Sequence, residues 1–281
     1  TGSTAILRAS TLGALEQGGH AIEAEGGYGD IARFAEALQQ KGRDVTLTRV
    51  PLTSDKRHDL DAIQKAVNSE TKVVVITNPN NPTGTIVSHE AIGEFIKNVP
   101  DTVKIIVDEA YVDFVKEPGF KSASSLAIEH SNVIVSRTFS KVYGLPGVRM
   151  GFAIGHPENF KDFWLYTGWM MPTLSVFAAN AALKDMEHVQ KSKEIVWASR
   201  DYLTGELTKM GVEFTPSESS FMIINVGKDP KDIIDYLRKN KVLVRNAHEM
   251  WKVKNHFRVS MGTMDEMEVF LNTFKKAMAQ V

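Results

Sequence analysis

The chain has 281 residues, with 33 Lys+Arg against 34 Asp+Glu, 43% hydrophobic side chains and no Cys. A net charge of -1 gives no reason to expect nucleic acid or a membrane surface as partner, and the missing Cys excludes disulfides, thiolate metal sites and cysteine nucleophiles. No apolar run approaches the ~18 to 20 residues that span a bilayer, and Thr1-Gly2-Ser3-Thr4-Ala5-Ile6-Leu7 lacks the basic start and apolar stretch of a signal peptide.

From Ala5 to about Glu16 apolar residues recur at helical spacing, Gly18-Gly19 stops the helix, and His20 to Ala24 reads as a short strand. The alternation repeats: a helix over Ile31 to Gln40 ending at Gly42, a strand over Asp44 to Val50, a helix over Leu60 to Val67. Lys72 to Thr77, Val103 to Val107 and Asn132 to Ser136 are short, rich in Val and Ile, and not alternating. Strands apolar on both faces belong to a sheet covered by helices on each side, which predicts an α/β layered architecture. His89-Glu90 fits the first turn of a helix better than a metal site.

After Met150 to Gly155 come aromatic-rich helices up to Lys184 and a charged helix from about Glu187 to Met210. Strands follow near Met222 to Val226, Val242 to Arg245 and Phe257 to Met261, with helices at Lys231 to Lys239 and Asp265 to Ala279. The expected division is a large domain over 1–183 and a smaller C-terminal α+β domain over 184–281. No repeat, low-complexity tract or flexible linker interrupts the chain.

Four segments follow the carboxyl ends of these strands, where open α/β sheets place their ligands. They are Asn78-Pro79-Asn80-Asn81-Pro82-Thr83-Gly84, Asp108-Glu109-Ala110-Tyr111, Thr138-Phe139-Ser140-Lys141 and Gly144-Leu145-Pro146-Gly147-Val148-Arg149-Met150-Gly151. Taken singly, each has an ordinary explanation: a turn, a cap, a surface charge. Together they supply an amine, a carboxylate, hydroxyls and an arginine, the parts that hold an anionic aromatic aldehyde.

In their order and spacing these segments resemble the fold-type I pyridoxal-phosphate-dependent aminotransferases of class I/II, and within them the histidinol-phosphate aminotransferase group. The resemblance runs from Gly2 to the C-terminus and is most specific over Ser140 to Gly151. It implies a three-layer α/β sandwich with a mainly parallel sheet, pyridoxal 5′-phosphate as cofactor, amino acid and 2-oxo acid substrates, and a homodimer.

Residue by residue, the resemblance implies that Lys141 holds the cofactor as a Schiff base and later carries the proton. Asp108 would keep the pyridine nitrogen protonated, and Asn81 and Tyr111 would hydrogen-bond the ring oxygen. Thr138, Ser140 and Arg149, with backbone N–H groups around Gly2, Ser3 and Thr4, would seat the phosphate. Tyr28 corresponds to an aromatic stacked on the ring, although Gly26-Gly27 stands where relatives have a Pro nearby. Arg258 corresponds to the arginine that grips a substrate carboxylate, in which role Asn81 also takes part, and Arg245 is a lesser candidate on the substrate side.

Relatives carry roughly eighty to ninety residues before the point where this chain opens, on top of the usual domain size. Ser219-Ser220-Phe221 departs from the Asn-Phe that relatives commonly carry, which leaves the substrate open. The aromatic cluster Phe163, Trp164, Tyr166 and Trp169 is expected to pack in the core, with a substrate pocket or dimer interface as the other readings. Two rivals use the same residues: a decarboxylase of a phosphorylated amino acid, and a catalytically silent binding homologue. A chain without Cys suits either redox environment, so an exported form stays open beside the expected cytoplasmic one.

Overall fold

The computed structural model describes residues 2–161, 163–167 and 171–280. Its first half alternates helix and strand as the apolar pattern requires: α1 (Ser3–Ala14), β1 (Gly19–Ala24), α2 (Asp30–Gln40), β2 (Val45–Val50), α3 (Leu60–Ala66), β3 (Thr71–Thr77), α4 (His89–Lys97), β4 (Lys104–Asp108), α5 (Ser124–Glu129), β5 (Val133–Thr138) and β6 (Gly151–Gly155). The strands form one sheet in the order β2-β1-β3-β4-β5-β6, parallel except for β6.

Because successive side chains of a strand point to opposite faces, the unbroken Val/Ile runs serve two cores at once. Val73, Val75 and Ile106 pack with Leu7, Leu15, Ile31 and Ala35 of α1, the turn after it, and α2. Val74, Ile76, Ile105 and Val107 pack on the other face with Ile63, Ile92, Phe95, Ile96 and Leu126 from α3, α4 and α5. This is the three-layer sandwich expected from the sequence. The order reverses direction between β1 and β3, so a crevice opens beyond the carboxyl ends of the central strands.

Beyond β6 lie α6 (Phe163–Tyr166), α7 (Thr173–Ala182), α8 (Met186–Lys209), β7 (Phe221–Asn225), α9 (Lys231–Lys239), β8 (Arg245–Asn246), α10 (Ala247–Trp251), β9 (His256–Ser260) and α11 (Met264–Gln280). β7, β9 and β8 make a second, antiparallel sheet. Leu203 and Leu207 of α8, Ile233 and Leu237 of α9, and Phe270 and Phe274 of α11 cover it around Met222, Ile224 and Phe257. Earlier along α8, the Trp197 indole donates to the Phe114 carbonyl at 2.8 Å and Ser199 Oγ donates to the Gly262 carbonyl at 2.6 Å. One helix thus touches the loops of both sheets.

The structure corrects the strand expected over Val242 to Arg245. Only Arg245 and Asn246 join the ladder, opposite Arg258 and Phe257. Lys241 takes a left-handed conformation (φ 62°) and the Val242 N–H returns to the Leu237 carbonyl of α9. Val242 and Val244 pack on the second core while Leu243 is 79% exposed, so the alternation reflects one-sided burial without pairing. Among the described residues no helix is long and apolar enough to cross a membrane.

Candidate active site

Asp108 is the last residue of β4, buried between neighbouring strands, and its carbonyl accepts the Asn78 N–H at 2.9 Å. Its Oδ1 is buried without a hydrogen-bond partner. Burial pushes the carboxyl up to about 7; the charge of nearby Asp30 adds to that, while the Ala110 N–H and Lys141 oppose it. Glu109, beside it, does something different. It faces the other side of the strand, accepts the Ala123 N–H at 2.7 Å and forms a buried ion pair with Arg137 at 2.8 Å, which anchors the segment leading into α5.

The loop after β3 is tied by its own amides. The Asn78 side chain exchanges two 3.0 Å bonds with the Val87 backbone, and Asn80 Nδ2 donates to Thr83 Oγ1 at 2.9 Å. Gly84 has φ 75°, and a Cβ there would overlap Ser217 Oγ at 1.9 Å, so only glycine lets the two segments meet. The loop presents Asn81, whose Oδ1 accepts from Arg258 Nη1 at 2.5 Å.

An anion seat forms where β5, β6 and α1 converge. Arg149 is left-handed (φ 57°), which turns the chain so that its carbonyl accepts the Gly2 N–H at 2.9 Å. Gly151 lies so close to α1 that a Cβ there would stand 2.6 Å from the Ser3 nitrogen and 2.8 Å from the Arg137 oxygen. No side chain caps α1. Ser3 and Thr4 at its start line one cavity with Thr138 and Ser140, whose hydroxyls are bonded to each other at 3.0 Å, and with Arg149, whose guanidinium is 3.5 Å from Ser140 Oγ. Helix N–H groups, hydroxyls and a guanidinium in one place make a seat for a dianion.

Lys141 Nζ lies 4.8 Å from the Tyr111 ring centre. Tyr111 is buried and meets Phe221 edge-on at 4.9 Å. Tyr28 is 37% exposed and hydrogen-bonded with Thr4; partial burial raises its phenol above the ordinary value. Ser3, Thr4, Tyr28, Asn81, Asp108, Tyr111, Thr138, Ser140, Lys141 and Arg149 line a single cavity of about 140 Å³. Gly2 joins through its bond to Arg149, and Arg258 reaches the cavity through Asn81. Arg245 pairs in register with Arg258 but its side chain is exposed.

Sequence reasoning missed Thr77, Ala110 and Pro146, which also line the cavity. Each adjoins a residue singled out by its motif, and a small or apolar wall carries no chemical signal of its own. In the aromatic cluster, Phe163 lines a separate apolar groove with Ile6 and Phe152. The Tyr166 ring packs against α1 at Gly13. Trp169 and the side chain of Trp164 lie outside what the structure describes. Among the described residues no group of His, Asp and Glu is placed to hold a metal ion.

A buried carboxylate oxygen without a partner, an amine, and hydroxyls beside a guanidinium, set around one cavity, have the chemistry to hold a protonated aromatic ring with an anion at one end. This is the fold of the fold-type I pyridoxal-phosphate-dependent transferases. Residues 2–274 match the family described as aminotransferase class I and II, and the chain belongs to that family. It is 36% identical over 233 residues, 82% of its length, to a histidinol-phosphate aminotransferase of Moorella thermoacetica. It is 33% identical over 272 residues to an aromatic amino acid aminotransferase of Cutibacterium acnes, covering 94% of this chain and 76% of that one. A crystal structure of histidinol-phosphate aminotransferase from Sinorhizobium meliloti in complex with pyridoxal-5′-phosphate superposes with a TM-score of 0.86 at 26% identity, over 98% of this chain and 74% of that one. The chain spans 60% of the length of the Moorella relative.

Proposed function

We propose that this chain binds pyridoxal 5′-phosphate in the cavity beyond β3, β4 and β5 and acts as an aminotransferase, as a cytoplasmic homodimer. The amino group would pass between an amino acid, of the histidinol-phosphate or aromatic type, and a 2-oxo acid. The observation that carries the reading is the unpartnered Asp108 Oδ1 in the same cavity as the Lys141 amine and the Arg149 seat. The names of the two curated relatives support transamination over the decarboxylase and silent alternatives. In this reading 1–183 form the cofactor domain and 184–281 the smaller one.

When bound, the cofactor supplies an aldehyde for amine attachment and a ring that takes up electrons. Lys141 would be the amine that holds it and, when free, the base and acid that moves the proton at the substrate Cα. Asp108 is the buried carboxylate that would receive the ring N–H; a cation brought to Oδ1 would satisfy the orphaned atom and draw the carboxyl into its charged form. Asn81 and Tyr111 would donate to the ring oxygen, Tyr28 would cover the ring, and the Thr138, Ser140, Arg149 and α1 groups would retain the phosphate. Arg258 orients the substrate by its carboxylate.

Borohydride reduction of the cofactor-loaded protein followed by peptide mass spectrometry tests this. A pyridoxyl tag is expected on Lys141 and is expected to vanish in Lys141→Ala. A tag on another lysine, or none, overturns the reading.

A further inference from the structure

We infer that Trp251 is a positioning residue for Arg258, fixing the plane of its guanidinium so that a substrate carboxylate meets it edge-on. The inference rests on the aminotransferase reading for the identity of what arrives there. Its geometry is independent of that reading.

Arg258 sits in β9, flanked by Ile223 of β7 and Arg245 of β8. Its guanidinium carbon lies 4.6 Å from the centre of the Phe221 ring and 4.9 Å from the centre of the Trp251 ring. Arginine stacks on aromatic faces, and the negative face of a ring attracts a cation most strongly where water is excluded. Among the described residues no Asp or Glu forms an ion pair with Arg258, and its cross-strand neighbour is another arginine. The two rings and one amide oxygen, that of Asn81, are the groups that receive this charge. Arg258 Nε is buried with no partner at all.

A half-buried cation in that state lacks an anion, and the rings limit how the anion can approach. With Asn81 on Nη1 and rings close to the guanidinium, the N–H groups still available lie in the guanidinium plane, the geometry that a carboxylate takes bidentately. Phe221 alone would leave the guanidinium free to turn toward water. Trp251 supplies the second contact, and it is itself fixed. Asn246 caps α10 by accepting the Glu249 N–H at 3.1 Å, Lys252 ends the helix in a left-handed turn (φ 61°), and the indole packs beside buried Ile223, Ala247 and Val253. Holding the plane before substrate arrives removes an ordering cost from binding.

The test uses cofactor-loaded protein and 3-phenylpropionate, a carboxylate with no amine to react, titrated by calorimetry. Arg258→Ala is expected to abolish binding. Trp251→Leu is expected to raise Kd about tenfold, and Trp251→Phe, which keeps a ring, less than about threefold. With an amino donor the same order is expected in KM, with smaller changes in kcat. Wild-type affinity in Trp251→Leu while Arg258→Ala loses binding overturns the clamp and leaves the aminotransferase reading standing. Equal losses in the Leu and Phe variants also overturn it, since shape and not the ring face would then be acting. If Arg258→Ala binds the probe like the wild type, the clamp falls together with the carboxylate role of Arg258, while the pyridoxyl tag on Lys141 decides the aminotransferase reading separately.

Discussion

Asp108, Asn81 and Thr138 lie at or just beyond strand ends with no more than 5% of their surface exposed, whereas Lys141 and Arg149, a few residues further along the chain, stand in turns open to solvent. The floor of the cavity is held by the ladder and the loop amides, and its polar groups have been taken out of water to be there. The rim has given up little hydration and is held by few contacts. Substituting the floor should therefore change chemistry and stability in opposite directions. Changes around the rim and the substrate side should alter binding first.

Asp108→Asn is the most severe way to break this contrast. Loss of the charge opposite the ring nitrogen is expected to lower kcat by roughly a thousandfold, comparable to removing a key electrostatic contact. The sign for stability is the reverse. With a folded value raised to about 7, the unfolded carboxyl ionises first, so the cofactor-free protein loses stability as pH rises from about 4 through about 7. The Asn variant is expected to be more stable by on the order of a few kcal/mol above that window, an advantage that vanishes below about pH 4. Calorimetric melting across pH measures both limbs; an Asn variant less stable at pH 8 would show that the carboxylate is not strained.

Arg258→Ala comes next, with KM for the amino donor expected to rise on the order of a hundredfold through loss of charged hydrogen bonds. The visible absorbance of the bound cofactor should remain, and a spectrum that changed as much as KM would place Arg258 on the cofactor instead. The smallest effect is expected from Gly151→Ala, where the added methyl would press on the Ser3 nitrogen and move the start of α1. Cofactor affinity should fall about tenfold with a drop of a few degrees in melting temperature, as overpacking costs roughly 1 to 3 kcal/mol. Equilibrium dialysis with pyridoxal phosphate decides it.

The positions of the floor residues were legible because Asp108 closes a run of Ile and Val and Asn81 sits in a Pro-bracketed turn, but only the order of the four segments, and the resemblance it carries, joined them into one site. The layered sheet was legible from a local pattern too, since strands buried on both faces cannot alternate. What stayed hidden depends on contacts far apart in sequence. Glu109, next to Asp108 in the chain, has the ordinary sequence explanation of a cap, yet it pairs with Arg137, 28 residues away, on the opposite side of the strand. Trp251 belongs to a five-residue helix whose apolar positions are too few to show a period, and its stacking on Arg258 exists only once β9 lies beside it. Val242 to Val244 misled because one-sided burial produces a strand-like pattern with or without a ladder.

A single turn of α8 grips the segment that follows Asp108, through Trp197, and the loop after the strand that carries Arg258, through Ser199. The loop beyond the carboxylate and the loop beyond the arginine are therefore pinned to one stiff piece of helix, so neither can shift without pulling on the other.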